Sequence, residues 1–163
     1  MKNEYISMKK IKLTILLSIV VSMGFAQSTV AKNYHYKTAL GLKYTPWAFS
    51  IKQAVYKHQT LEALMYFYEG ARLTALYEFH HNFEGSRSFH WYVGPGMHVQ
   101  FNNVNLTNGG YNYIGLDAVL GLDWKIKNTP LNASIDWQPS FDFINTQNFK
   151  GGFGGLAIRY ILQ

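Results

Sequence analysis

Cysteine is absent from this chain of 163 residues, and acidic side chains are scarce: nine Asp and Glu stand against fifteen Lys and Arg. The first absence excludes a disulfide framework and a thiolate metal site. The second bears on the surface. Charged residues make up 15% of the chain, whereas a soluble surface ordinarily carries more charge. Long apolar runs are also missing. The longest, Leu13–Met23, falls short of the ~20 residues a membrane-spanning helix needs. Proline occurs four times. The formal charge is +6, but half of that excess sits near the start, where Lys2, Lys9, Lys10 and Lys12 face only Glu4. The rest is mildly basic and points to no nucleic-acid partner.

What is present begins with a basic segment, Lys9-Lys10-Ile11-Lys12, followed by the apolar run and by Gly24-Phe25-Ala26. Basic, apolar and small residues in that order read as a signal peptide over 1–26, with cleavage before Gln27. Residues 27–36 form a short polar lead. Residues 37–163 form one β-domain.

Within it, Tyr113–Lys127 alternates without a break. Ile114, Leu116, Ala118, Leu120, Leu122, Trp124 and Ile126 share one register, while Gly115, Asp117, Gly121, Asp123, Lys125 and Lys127 share the other. Period-two alternation places these sets on opposite faces of a strand. The run exceeds the roughly 9–11 tilted residues that cross a bilayer as a strand. The same reading predicts strands over 37–44, 48–56, 60–68, 71–80, 88–101, 131–144 and 153–162, with 102–112 and 145–152 as the longest connections. Eight strands joined by hairpins predict an all-β, antiparallel, up-and-down transmembrane barrel. Pro95 and Pro139 fall inside strands, where the missing N–H predicts bulges or local twists.

Charge falls on one register: Lys43, Lys52, Glu62, Arg72, Glu78, Asp117, Asp123, Lys125, Lys127, Asp136, Asp142 and Arg159. Most of the glycines share it. That set is expected to line and plug the lumen, since eight strands leave an interior just wide enough for side chains. The other register carries Trp47, Tyr77, Trp91, Trp124, Trp137 and Tyr160, expected as interfacial aromatics.

On Leu76-Tyr-Glu-Phe-His80, Trp91-Tyr-Val-Gly-Pro-Gly-Met-His98, Leu116–Trp124, Asp136-Trp-Gln-Pro139 and Gly155-Leu-Ala-Ile-Arg-Tyr160, the chain resembles small eight-stranded outer-membrane barrels of the OmpX and OmpA-barrel kind. In particular it resembles short barrel proteins of Bacteroidetes. The ending Tyr160-Ile-Leu-Gln163 departs from the terminal aromatic usual there. The resemblance implies the outer membrane of a Gram-negative cell, a porin-like barrel, contact with outer-membrane lipid and lipopolysaccharide, and handling by the barrel-assembly machinery; it implies no activity.

The functional expectation is an anchoring or accessory barrel without an open pore, its protein partner unnamed. The alternatives are a lipid-modifying enzyme of the lipid A deacylase or acyltransferase type, and a soluble lipocalin-like lipid carrier. His80 and His90, facing each other near Glu78 if the hairpin centres on Gly85, form a weak metal or acid–base candidate. Ser86 and Ser88 lie near His80 but lack a third partner for nucleophilic catalysis. Gly151-Gly-Phe-Gly-Gly155 is no phosphate loop, because no lysine or helix completes it. No cofactor is expected.

Overall fold

A computed structural model describes residues 37–67, 70–84, 88–101, 112–144 and 148–162. Eight strands follow in chain order: β1 (Thr38–Tyr44), β2 (Ala48–Tyr56), β3 (Gln59–Tyr66), β4 (Ala71–Asn82), β5 (Phe89–Phe101), β6 (Asn112–Lys125), β7 (Leu131–Ile144) and β8 (Asn148–Ile161). Each pairs antiparallel with its neighbours, and β1 pairs with β8 to close the barrel. The closing ladder runs from Ala39 opposite Ile161 to Tyr44 opposite Leu156. Closure removes the exposed edge that an open sheet would present.

Alternation sorts the side chains radially. In β6 every second residue from Gly115 to Asp123 is buried, while Leu116, Leu120 and Trp124 are exposed. The barrel has two ends. At the near end, where β1 begins and β8 stops, backbone bonds tie the connections together: Ala54 donates to Lys37, His80 to His58, Lys125 to Ser88, Ile161 to Pro130 and Leu162 to Thr38. The far end carries the turn over 45–47, where Thr45 and Pro46 are joined by a cis bond.

The strand prolines behave differently from one another. Beside Pro139 the β7–β8 register shifts between Gln138 and Ser140, so Gly151 and Gly152 crowd opposite a single β7 position. The Trp137 indole donates to the Gly151 carbonyl at 2.9 Å and clips this bulge. At Pro95 the register with β4 is unshifted, but the ladder skips from Leu76 opposite Gly96 to Phe79 opposite Val93. A missing donor there costs a stretch of ladder and no residue is inserted. Close backbone approach demands glycine at several points, Gly94 and Gly155 among them. A Cβ on Gly94 would sit 1.8 Å from the Tyr77 carbonyl, and one on Gly155 (φ +119°) 2.0 Å from that of Tyr44.

The expectation of a transmembrane barrel behind a cleaved signal is corrected to a closed eight-stranded antiparallel barrel with a buried, salt-bridged polar interior, an arrangement that argues against a transmembrane pore. No helix among the described residues is long and apolar enough to cross a membrane, which says nothing of strands. The expected signal over 1–26, the lead over 27–36 and the connection over 102–111 lie outside the described residues.

Candidate functional site

Two polar clusters and an apolar waist fill the interior. Toward the near end, Arg159 on β8 is fully buried. Its Nε donates to Ser50 at 2.7 Å, and its Nη1 donates to Ser134 at 2.7 Å and to Asn132 at 3.2 Å. Its Nη2 pairs with Glu62 on β3. Ser50 donates to the same carboxylate at 2.5 Å. Lys52 Nζ stands 2.9 Å from Glu78, 3.5 Å from Asp123 and 3.8 Å from Glu62, a cation shared by three acids. Burial pushes the Glu62 carboxyl upward, but Arg159, Lys52 and Lys43 outweigh it and hold Glu62 well below the ordinary carboxylate range. Burial likewise opposes the charge on Lys52, and Glu78 and Glu62 prevail and raise it.

Toward the far end, Arg72 on β4 pairs with Asp117 on β6. His98 bridges strands: Nδ1 lies 2.8 Å from Asp117, and Nε2 lies 2.7 Å from Asp142 on β7. Each ring nitrogen thus faces a carboxylate from a different strand. Lys150, one third exposed at the mouth, reaches Asp142 at 2.9 Å.

Between the clusters lie Leu64, Tyr66, Leu76, Tyr92 and Val119, with Phe153 packed against them. Two phenols reach out of this waist. Tyr92 donates to Asp136, which also binds Lys43 at 2.6 Å, and Tyr66 donates to Gln138, each at 2.7 Å. Burial is the main reason both phenols are held well above their usual pKa.

Six carboxylates therefore share the buried interior with four basic side chains, Lys43, Lys52, Arg72 and Arg159. Lys125 and Lys127 belong to the same sequence register, but they sit at the near-end rim, half-buried and exposed respectively. His98 stands against two of these acids, and His80 Nε2 lies 2.9 Å from Glu78. Such groups are tolerated in a low-dielectric interior because they are paired.

His80 does not face His90. It lies opposite Tyr92 and stacks on that ring at 5.0 Å, while His90 lies opposite Asn82. The hairpin register is two residues away from one centred on Gly85, which itself lies outside the described residues along with Ser86. No group of three His, Cys, Asp or Glu among the described residues is placed to hold a metal ion. Of the aromatics, Trp47, Trp124, Trp137 and Tyr160 are exposed on the outer wall, and Tyr77 and Trp91 are half-buried. Tyr77 donates to Gln59 at 2.5 Å, and Trp91 stacks on His81 at 4.4 Å.

Sequence periodicity gave no sign of a groove on the outer wall over the β1–β8 seam. About 430 Å³ in volume, it is lined by Leu40, Leu42, Leu156, Ile158 and Tyr160, with Tyr44 and Trp47 at its far end. It lies where β1, only seven residues long, meets β8. The outer wall is apolar elsewhere too, with Met97 64% and Leu116 58% exposed.

No family model matches the chain, and neither a curated protein nor a solved structure matches it. The expected membership among OmpX and OmpA-type barrels is corrected accordingly, and with it the porin-like description, whose lumen would have to be open where ion pairs stand. The outer-membrane location and the lipopolysaccharide and assembly-machinery partners followed from that resemblance. Neither the comparisons nor the structure gives them support, so they too are set aside. The anchoring role fits less well than lipid binding.

Proposed function

We propose that this protein is a lipid-binding barrel of carrier type, with the usual polarity inverted. A lipocalin-like barrel encloses its ligand in an apolar cavity, but here the interior is taken by Arg159, Lys52, Arg72 and their carboxylates. The lipid instead lies along the outside. One observation carries this reading: the apolar groove over the β1–β8 seam, continuous with an outer wall of Leu, Ile, Phe and Trp. Exposed apolar surface beyond a few hundred Å² marks a binding surface, and the groove falls in the roughly 300–1,000 Å³ range of ligand sites. An acyl chain gains about 0.8 kcal/mol for each CH2 it buries.

Extraction of the purified protein followed by mass spectrometry tests the reading, together with titration of a fluorescent acyl probe. Acyl lipids co-purify, and the double variant Leu42→Glu/Ile158→Glu loses most of the probe affinity. A barrel that is monodisperse without any amphiphile and takes up no probe overturns the proposal.

A further inference from the structure

We infer that the amphiphile bound on the outer wall is an anionic phospholipid, its head group held at the near end by a lysine collar. This rests on the lipid-binding reading. The charges outside the interior are distributed unevenly. Lys37 immediately precedes β1, Lys57 lies in the turn between β2 and β3, and Lys125 and Lys127 lie at the end of β6 and in the turn after it. All four occupy the near end, because the backbone bonds from Ala54 to Lys37, Lys125 to Ser88 and Ile161 to Pro130 join those connections. At the far end the described cation is Lys150, and Asp142 already holds it.

The exposed carboxylate among the described residues is Glu84, between β4 and β5, across the ring from β1 and β8. The other six described acids are buried and paired inside.

The groove and the collar are also in register. The near-end mouth is made by Leu40, Leu131 and Tyr160, with Tyr160 opposite Leu40 on one side and Leu131 on the other. Lys37 stands three residues before Leu40, and Lys127 four before Leu131. A chain lying in the groove with its tail toward Trp47 thus brings its head group between these two lysines. A phosphodiester with a neutral substituent suits that setting. A zwitterionic head brings its own cation against the lysines and gains less.

Competition against the fluorescent acyl probe on the full chain tests this, using phosphatidylglycerol and phosphatidylcholine of identical acyl chains at low and high salt. Phosphatidylglycerol competes at least tenfold better at low salt, and the preference collapses in high salt. The variant K37Q/K57Q/K125Q/K127Q loses the preference, at about fivefold per lysine near the head group, and the corresponding four-arginine variant keeps it. Equal competition by the two lipids, or a preference unchanged in the glutamine variant, overturns the inference and leaves the lipid-binding reading standing. Competition by neither lipid overturns both.

Discussion

Replacing Arg159 by methionine tests whether the interior is held by paired charge. The guanidinium is fully buried and serves Glu62, Ser50, Ser134 and Asn132. Methionine fills much of the volume and removes the charge. Glu62 then keeps Ser50 and, at 3.8 Å, Lys52, which is already closer to Glu78. Breaking a buried pair from one side costs about 3–5 kcal/mol, because the partner is left charged in low dielectric. At about 3 °C per kcal/mol for a chain of this size, Tm falls by roughly 10–15 °C. The pH dependence separates this cause from lost packing. With Arg159 present, Glu62 titrates below its unfolded value, so its stabilisation is present above about pH 4.5 and is lost only as pH falls through the lower folded value. Without Arg159 fewer cations oppose burial, and folded Glu62 holds its proton more tightly than in the wild type. The gap between wild type and variant therefore widens as pH rises from about 3 to 7. Denaturant unfolding followed by circular dichroism at several pH values measures it, and Glu62→Gln added to the variant recovers most of the loss. A gap below about 1 kcal/mol at pH 7, or a double variant no more stable than Arg159→Met, refutes the reasoning.

At the closing seam, Gly155→Val prevents β8 from meeting β1, since a Cβ there lies 2.0 Å from the Tyr44 carbonyl; the expected readout is loss of the cooperative unfolding transition, with Gly152→Ala, where a Cβ meets nothing within 4 Å, as the tolerated control. In alkali, Tyr66 and Tyr92 keep their protons above the usual phenol range. The stability they contribute is present below about pH 10 and is lost as pH rises through their folded values, so two tyrosinates appear in ultraviolet absorbance only together with unfolding. Replacing His98 with Phe leaves Asp117 and Asp142 without their shared bridge, and the expected cost is about 2–4 kcal/mol at neutral pH in the same unfolding assay.

The strand pattern was largely legible. Ala48–Tyr56 and Leu131–Ile144 appear with the bounds that alternation predicts, because both have one face buried along their length and turn residues at their ends. β8 was not, since it begins at Asn148 and runs through Gly151-Gly152-Phe153-Gly154-Gly155. Glycines erase the alternation signal, and the bulge opposite Pro139 breaks its phase. Hairpin register was the other failure. His80 meets Tyr92 instead of His90 because the turn is centred one residue later than Gly85 would have it, and a single step moves every cross-strand partner by two. The groove left no trace in periodicity, because it lies where two strands, β1 and β8, meet and is not a feature of one segment.

The inverted polarity also explains why this barrel keeps one register. Slipping any strand by one residue exchanges its two faces. For β6 that would bring Leu116, Leu120 and Trp124 inward and leave Asp117 and Asp123 without Arg72 and Lys52. An apolar core forgives a rotated leucine better than a charged core forgives an unpaired carboxylate, since the loss is several kcal/mol per group. The ion pairs also join strands that do not touch along the ladder: Lys43 on β1 reaches Asp136 on β7, and Glu62 on β3 reaches Arg159 on β8. These contacts across the ring are satisfied only when β1 and β8 have met. Net stabilisation by each buried pair is small once desolvation is counted, so their larger effect is to disfavour open and slipped sheets. The outer wall is thereby relieved of specifying the fold.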